Sequence, residues 1–313
     1  MKDIRAYLAK QKWYQHLSDK KYAMLTSLSP TLNTKARWRQ VYNRKLELSH
    51  PVLYCDKQAW LKIYVYNKSP FVKRLANRVY AREYVRSKGL DKLLIDLYGI
   101  WNSAEDIPFD TLPESFILKT AMGCGHHVIC RDRSLFDPEA AKKQIHHAWA
   151  RKDWLLYGEL QYKPDRDIRQ QILCERLIHT EKNEYPADYK FNCFHGEPLF
   201  IDYCFDRDES GHAKFKAMDM DWVYHPEWTI GKQPKPIPKP DCFDEMCEIV
   251  RTLSQGIPYV RIDLYEEDGK PLFGEFTFTP SGGLDTDYPM ERQIEWGKHL
   301  DLNHIDYSAL EIR

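Results

Sequence analysis

Apolar positions along the chain recur with two periods, and the alternation between them outlines the molecule. Residues 1 to about 60 place apolar side chains among charged ones at helical spacing, beginning with Ile4 and Leu8. This predicts helices joined by loops, one opened by Ile4, Leu8 and Gln11-Lys12 and a second capped at Ser18-Asp19. From Phe71 to Leu97 the spacing of Leu75, Val79, Tyr80, Tyr84 and Val85 predicts a helix that Gly89 ends. Arg74, Arg78 and Arg82 follow at i, i+4 and i+8, a stripe that faces either solvent or phosphate. Phe116–Thr120 and Val128–Cys130 read as short strands on either side of a glycine-containing loop, Ala121-Met-Gly-Cys-Gly-His-His127. Pro138–Trp154 returns to helical period, with Ala140, Ala141, Ile145, Ala148 and Trp149 on its apolar side. Gln170–Ile178 reads as a strand with Glu175 near its end, and Asp188–Phe194 and Leu199–Tyr203 as strands joined by the turn His195-Gly-Glu-Pro198. Gly231–Pro240, with four prolines and three lysines, is an extended loop, after which Asp241 caps a helix whose inner side is Phe243, Met246, Ile249, Val250 and Leu253.

The last strong pattern is a hairpin. Tyr259–Tyr265 and Leu272–Phe278 have strand composition, and Glu267-Asp-Gly-Lys270 supplies turn chemistry between them. Side chains alternate faces along a strand, so Arg261 and Asp263 share one face, as do Glu275 and Thr277. Pairing about Asp268-Gly269 brings Asp263 and Glu275 near each other, within a residue of register. Two adjacent carboxylates repel unless a cation lies between them, and hard oxygen ligands of this kind suit Mg²⁺ shared with phosphate; the alternative is a solvated hairpin with its acids in water.

Composition narrows the function classes. The 313 residues carry 46 Lys+Arg against 46 Asp+Glu, so the net charge is zero and a polyanion-binding role such as nucleic-acid binding is not indicated. The basic, aromatic cluster Lys35-Ala-Arg37-Trp38-Arg39 with Arg44-Lys45 is read first as an exposed helix face, and otherwise as a contact for an anionic membrane surface or a phosphorylated substrate. No run reaches membrane-span length and the first residues lack an apolar leader, so a soluble, cytoplasmic protein is expected. The eight cysteines form no Cys-x-x-Cys pair and are expected as buried thiols. His146 and His147 point about 100° apart on a helix, a poor chelating geometry, and read as surface or packing residues. Asp188 and Lys190 share a strand face and read as a salt-bridged pair on a sheet surface. The loop with Gly123 and Gly125 permits close approach of backbone N–H groups to phosphate, although it matches neither the Walker nor the Rossmann pattern.

Taken in order, these segments resemble the TupA-like ATP-grasp family, the polysaccharide-biosynthesis branch of the ATP-grasp superfamily. The resemblance covers roughly residues 70–285 and, more loosely, 48–68. It rests on Val79-Tyr-Ala-Arg-Glu-Tyr-Val85, Phe116-Ile-Leu-Lys119, Asp188-Tyr-Lys-Phe191 with Cys193-Phe194, and Val260–Ser281. Two places depart from the family pattern: Asn77-Arg78 stands where relatives tend to carry Asp-Lys, and Ala121-Met-Gly-Cys-Gly125 where they tend to carry Asn-His-Gly-Ser-Gly.

The resemblance implies an α+β ATP-grasp fold in which two α+β subdomains grip ATP. It divides the chain into an N-terminal helical region (1–70) and an ATP-grasp region (71–313), with a lid at about 112–176 and a body at about 177–313. Lys119 would neutralise phosphate, the Gly123–Gly125 loop would cover the triphosphate, and Glu175, Arg176 and Ile178 would form the hinge beside adenine and ribose. Arg78, Asp188 and Lys190 complete the implied ATP-binding set. Asp263, Glu275 and Thr277, the last where many relatives carry Asn, would hold Mg²⁺, while Arg261 clamps an acyl phosphate in a catalytic set with Lys119 and Lys190. The implied activity is an ATP- and Mg²⁺-dependent carboxylate–amine ligase of capsule, exopolysaccharide or O-antigen assembly. Its substrates would be a small-molecule or lipid-linked sugar acid and an amine, with peripheral membrane contact as an option. The alternatives are a glycosyltransferase of a polysaccharide cluster and a degenerate, non-catalytic ATP-grasp binding protein.

Overall fold

The structure is a computed structural model describing residues 11–123, 127–180, 185–207, 213–228 and 237–312. Three helices come first, α1 (Lys12–Leu28), α2 (Pro30–Tyr42) and α3 (Tyr54–Tyr64), followed by α4 (Pro70–Leu75) and α5 (Arg78–Ser87). A four-stranded antiparallel sheet has the order β1-β4-β2-β3, built from β1 (Leu97–Trp101), β2 (Phe116–Thr120), β3 (His127–Cys130) and β4 (Ile172–Glu175). Between β3 and β4 lie α6 (Pro138–Arg151) and α7 (Asp153–Tyr157). A five-stranded antiparallel sheet has the order β7-β6-β5-β8-β9, from β5 (Asp188–Phe194), β6 (Glu197–Phe205), β7 (Lys214–Met218), β8 (Tyr259–Glu267) and β9 (Lys270–Thr277). Helix α8 (Phe243–Ser254) covers this sheet, and α9 (Met290–His299) packs on α3.

Several expected elements change at their ends. The helix expected over Phe71–Leu97 is two helices, because Asn77 leaves helical geometry and accepts the backbone N–H of Val79 as a cap. The arginine stripe therefore does not form: Arg74 pairs with Glu311, Arg78 with Glu275 and Arg82 with Glu175. The helix expected over Pro138–Trp154 breaks at Lys152, whose φ is +50°. Ser18-Asp19 lies inside α1 rather than capping a helix, and Cys242, not Asp241, stands at the start of α8. The basic cluster is not a simple exposed face. Arg37 sits over the rings of Tyr22 and Tyr157 and donates to the Leu156 carbonyl, and Trp38 is fully buried. Strands β1 and β7 were not anticipated; both are sheet edges, where one-sided pairing tolerates the glycine of Leu97-Tyr-Gly-Ile-Trp101 and the lysines of Lys214-Phe-Lys-Ala-Met218. His146 is exposed and pairs with Glu105, and the seven described cysteines are buried free thiols.

The five-stranded sheet buries both faces, and its two faces differ in kind. Tyr189, Phe191, Cys193, Ile262, Leu264, Phe273 and Phe276 join the main core against α8. Asp188, Lys190, Asn192, Asp202 and Asp263 are all buried as well, on the opposite face by strand alternation. The hairpin turn has φ of +53° at Asp268 and +71° at Gly269, the twist-compatible two-residue geometry its sequence calls for. One irregularity sits between Asp263/Glu275 and Leu264/Phe273, leaving Gly274 as the extra residue of a bulge. A Cβ at Gly274 would lie 2.7 Å from the Asp263 carbonyl oxygen, so only glycine fits. The bulge keeps both Phe273 and Phe276 in the core while Glu275 remains opposite Asp263.

Candidate functional site

The polar face of the five-stranded sheet and the inner edge of the four-stranded sheet meet across α5. In the hairpin, Asp263 is opposite Glu275 and Arg261 opposite Thr277. Lys190 on β5 is opposite Asp263, and Asp202 on β6 is opposite Lys190. Arg261 donates from Nε to Asp263 Oδ1 at 2.7 Å and from Nη2 to Oδ2 at 2.9 Å and to Thr277 Oγ1 at 3.1 Å. Lys190 Nζ reaches Asp263 Oδ2 at 2.5 Å and Asp188 Oδ2 at 3.1 Å, and Arg207 joins Asp188 at 2.8 Å.

Burial by itself would make these groups neutral, and their mutual pairing reverses that. Desolvation pushes the Asp263 carboxyl up, but Arg261 and Lys190 outweigh it and hold it below the usual carboxylate range. Desolvation likewise lowers Lys190, and Asp263 and Asp188 carry it above the ordinary lysine value. The Asp188–Lys190 pair is therefore buried rather than displayed on a sheet surface, and it forms part of a charged core network.

On the other sheet, strand β2 sets Lys119 diagonally across from Glu175 of β4, and Lys119 Nζ meets Glu175 Oε2 at 2.7 Å. Arg82 from α5 donates to the other oxygen at 2.7 Å and to the Ile95 carbonyl. Burial raises the Glu175 carboxyl, and Lys119 and Arg82 pull it below its ordinary value. Arg78 joins the two sheets. Its Nη1 donates to the carbonyls of Thr120 at 2.8 Å and Gly123 at 2.9 Å, and its Nη2 to Glu275 at 2.5 Å. These pairs form three neighbouring groups, Arg78–Glu275, Arg82–Glu175–Lys119 and Arg261–Asp263–Lys190–Asp188–Arg207, which together contain six cations and four carboxylates.

Not every expected residue joins this network. Arg176 turns to the far end of the hairpin and makes a bidentate pair with Glu267 at 2.9 and 2.5 Å. Ile178 follows in half-buried coil. Gly123 has φ of +96° and open space around its α-carbon; Gly125 lies outside the described residues. Arg82 and Arg207 belong to the network although neither stands in the implied binding set, Arg82 having been read only as part of the arginine stripe. Arg82 had a signal, its place four residues after Arg78, whereas Arg207 had none.

Behind the hairpin, the turn Pro280–Gly283 carries three successive left-handed residues, Ser281, Gly282 and Gly283. It is held from below by Lys62 of α3, which is fully buried and donates to the Gly282 carbonyl at 2.8 Å and the Tyr157 carbonyl at 3.3 Å. Desolvation pushes Lys62 down to about 8. Glu159 accepts from Thr279, which in turn accepts from Gln161.

Among known families, the model described as TupA-like ATPgrasp matches residues 56–300. The chain belongs to the TupA-like ATP-grasp family. Its α+β architecture of two antiparallel sheets with an N-terminal helical region is accordingly the ATP-grasp fold. No curated protein matches the chain in sequence. Among solved structures it is similar to an L-amino acid ligase from Bacillus licheniformis, with 15% identity, a TM-score of 0.42, and 66% of this chain and 43% of that one covered. It is also similar to a D-alanine–D-alanine ligase from Bacillus anthracis complexed with ATP, with 15% identity, a TM-score of 0.41, and 76% and 63% covered. A third is the ATP-grasp ligase PsnB complexed with a phosphomimetic variant of its minimal precursor, Mg and ADP, with 12% identity, a TM-score of 0.38, and 82% and 65% covered. The chain spans less than two thirds of each of these proteins. Among the described residues no helix is long and apolar enough to cross a membrane.

Proposed function

We propose that this TupA-like ATP-grasp protein is an ATP- and Mg²⁺-dependent carboxylate–amine ligase, joining an amine or amino acid to a sugar acid in the assembly of a bacterial capsule, exopolysaccharide or O-antigen. The observation that carries this reading is the charge of the network: six cations against four ion-paired carboxylates leave the site net cationic, which complements the phosphates of ATP. Of the residues assigned to the metal, Glu275 is the one open to it; Asp263 is buried and held by Arg261 and Lys190, and Thr277 Oγ1 accepts from Arg261, so these two become ligands only as those cations turn to the phosphates. Glu275 is partly exposed and held by one partner, Arg78, and it lies opposite Asp263. Among the described residues no group of three or more His, Cys, Asp or Glu gathers into a protein-only cage. This suits Mg²⁺, which keeps waters and shares phosphate oxygens rather than occupying such a cage. Bound there, the ion would neutralise charge on the β- and γ-phosphates.

In this reading the sheet containing Lys119 is the lid and the sheet containing the hairpin is the body. Lys119, Arg78 and Lys190 bind phosphate, Asp263, Glu275 and Thr277 hold the metal, and Arg261 orients the activated carboxyl. Arg78 gives the arrangement a closing element, since one guanidinium holds the Gly123 carbonyl of the lid loop and Glu275 of the body. No side-chain nucleophile is required, because charge neutralisation and alignment suffice for phosphoryl transfer. The test is ADP release by purified protein given ATP, Mg²⁺, a panel of uronic acids and a panel of amines. Release that needs both partners supports the ligase. Turnover of a nucleotide sugar without ATP would replace it with glycosyl transfer, and failure of millimolar MgATP to raise the melting temperature would leave a non-catalytic protein.

A further inference from the structure

Helix α3 and the segment after the hairpin enclose a second, small recess. Most of its surface is apolar, from residues that include Tyr54, Cys55 and Pro280, and Gln58, Asp285 and Gln293 bring polar side chains to it. Its inner part offers about 10 Å³ to the centre of a water-sized group, the room one water or one –NH₃⁺ head takes.

Gln58 is only 2% exposed, and both atoms of its side-chain amide lack a hydrogen-bond partner. An unpartnered buried amide is destabilising, so a side chain that lines a recess in this state is complementary to something that enters it. Two carboxylates stand beside it. Asp285 lines the recess, and burial pushes its carboxyl up to about 6. Asp202 lies behind Tyr288, accepting from the Tyr288 hydroxyl at 2.7 Å and from Asn192 at 3.0 Å, and burial raises it too. Among the described residues neither acid is in an ion pair, because the nearby cations are engaged elsewhere: Arg261 with Asp263, and Arg44 with Asp56. Asn192, which donates to Asp202, is opposite Arg261 on the neighbouring strand, so the acid behind Tyr288 lies on the sheet face that carries the guanidinium assigned to the activated carboxyl.

We propose that this recess is the subsite for the amine substrate and takes the ammonium head of a primary amine. Asp285 pairs with the ammonium, Gln58 Oε1 accepts one of its N–H groups, Gln58 Nε2 donates to a substrate oxygen, and Asp202 adds negative potential through Tyr288. The division of charge is the physical basis: the hairpin side carries a cationic surplus for phosphate, and the α3 side carries uncompensated acid for an amine. The assignment deepens the ligase reading and rests on it for the name of the substrate, but its binding test does not require turnover.

The experiment is calorimetric titration of the intact protein with a panel of primary amines (the common L-amino acids, ethanolamine, putrescine and glucosamine) and with their N-acetyl forms. At least one free amine binds, its N-acetyl form binds at least tenfold more weakly, Asp285→Asn and Gln58→Leu each weaken it at least tenfold, and Gln58→Glu tightens it. Circular dichroism and a cooperative melt verify that each variant folds, and the charge-adding Gln58→Glu separates ligand contact from a packing role. A panel in which no amine binds, or equal binding of amine and N-acetyl form, or no response to the variants, overturns the proposal and leaves a recess that holds water only. MgATP titrated into the wild type in parallel separates the two readings: loss of nucleotide binding with amine binding intact sinks the ATP reading alone.

Discussion

Replacing Asp263 by Asn removes one negative charge while keeping shape, and the structure sets what that costs. Asp263 is 2% exposed and is the shared acceptor of Arg261 at 2.7 and 2.9 Å and of Lys190 at 2.5 Å. Removing one partner of a buried ion pair costs about 3–5 kcal/mol, because the remaining charge stays buried without compensation. Lys190 retains Asp188 at 3.1 Å, which places the loss at the low end, about 3 kcal/mol. In a chain of this size each kcal/mol corresponds to about 2–4 °C, so Asp263→Asn melts on the order of 10 °C below wild type at pH 7. The sign of the pH dependence follows from the carboxyl being held below its ordinary value. Its contribution is complete above the unfolded-state value, near the ordinary 3.8, and is lost as pH falls through the lower folded-state value. The gap between wild type and variant should therefore stay constant from pH 7 to pH 5 and close below about pH 4. Lys190→Met in the Asn background should recover part of the loss, since it removes a cation whose main partner has gone. Thermal and urea melts read all three quantities. An Asn variant within 2 °C of wild type, or a gap unchanged at pH 3, would mean that solvent rather than Arg261 and Lys190 balances this carboxylate.

Glu275→Gln should abolish ATP-dependent turnover with a melting temperature within about 3 °C of wild type, because a partly exposed carboxylate with one partner contributes little to stability; an active variant would remove the hairpin from the mechanism. Gly274→Ala should lower the melting temperature by several degrees, since its Cβ would meet the Asp263 carbonyl oxygen at 2.7 Å, and an unchanged melt would show that the bulge relaxes freely. Lys62 is fully buried and pushed down to about 8 against 10.5, so the fold loses about 3 kcal/mol holding it charged, and stability rises as pH goes from 8 to 10.5. Wild type should gain that amount relative to Lys62→Met over the same interval in urea melts, and parallel pH curves for the two would show that burial does not depress Lys62 in the fold.

The hairpin was the most legible part of the chain. Local turn chemistry at Asp268-Gly269 and strand alternation place Asp263 opposite Glu275, and the register agrees. The strands β2, β5 and β6 were readable for the same reason, being apolar runs bounded by turns. The edge strands β1 and β7 were not, because their stability comes from pairing on one side and not from a pattern of their own. Helix breaks at Asn77 and Lys152 were hidden because periodicity continues across a one- or two-residue interruption. Placing the three arginines on one stripe assumed an unbroken helix; the break at Asn77 sends them to three different carboxylates.

Sequence alone determined which residue types lie on which face of the hairpin, since the two-residue strand period and a two-residue turn are local properties of the backbone. It also determined the family pattern, carried by the order of short motifs. Only the tertiary structure decided which charges compensate one another: that Lys190, from a strand about 70 residues earlier, shares Asp263 with Arg261, that Arg78 joins the Gly123 carbonyl to the hairpin, and that Gln58 and Asp285 line one recess without a cation between them. The physical reason is range. Backbone geometry is set by neighbours along the chain, whereas the ionisation and partner of a buried charge are set by whatever the fold brings within a few ångströms, and no local pattern encodes that distance.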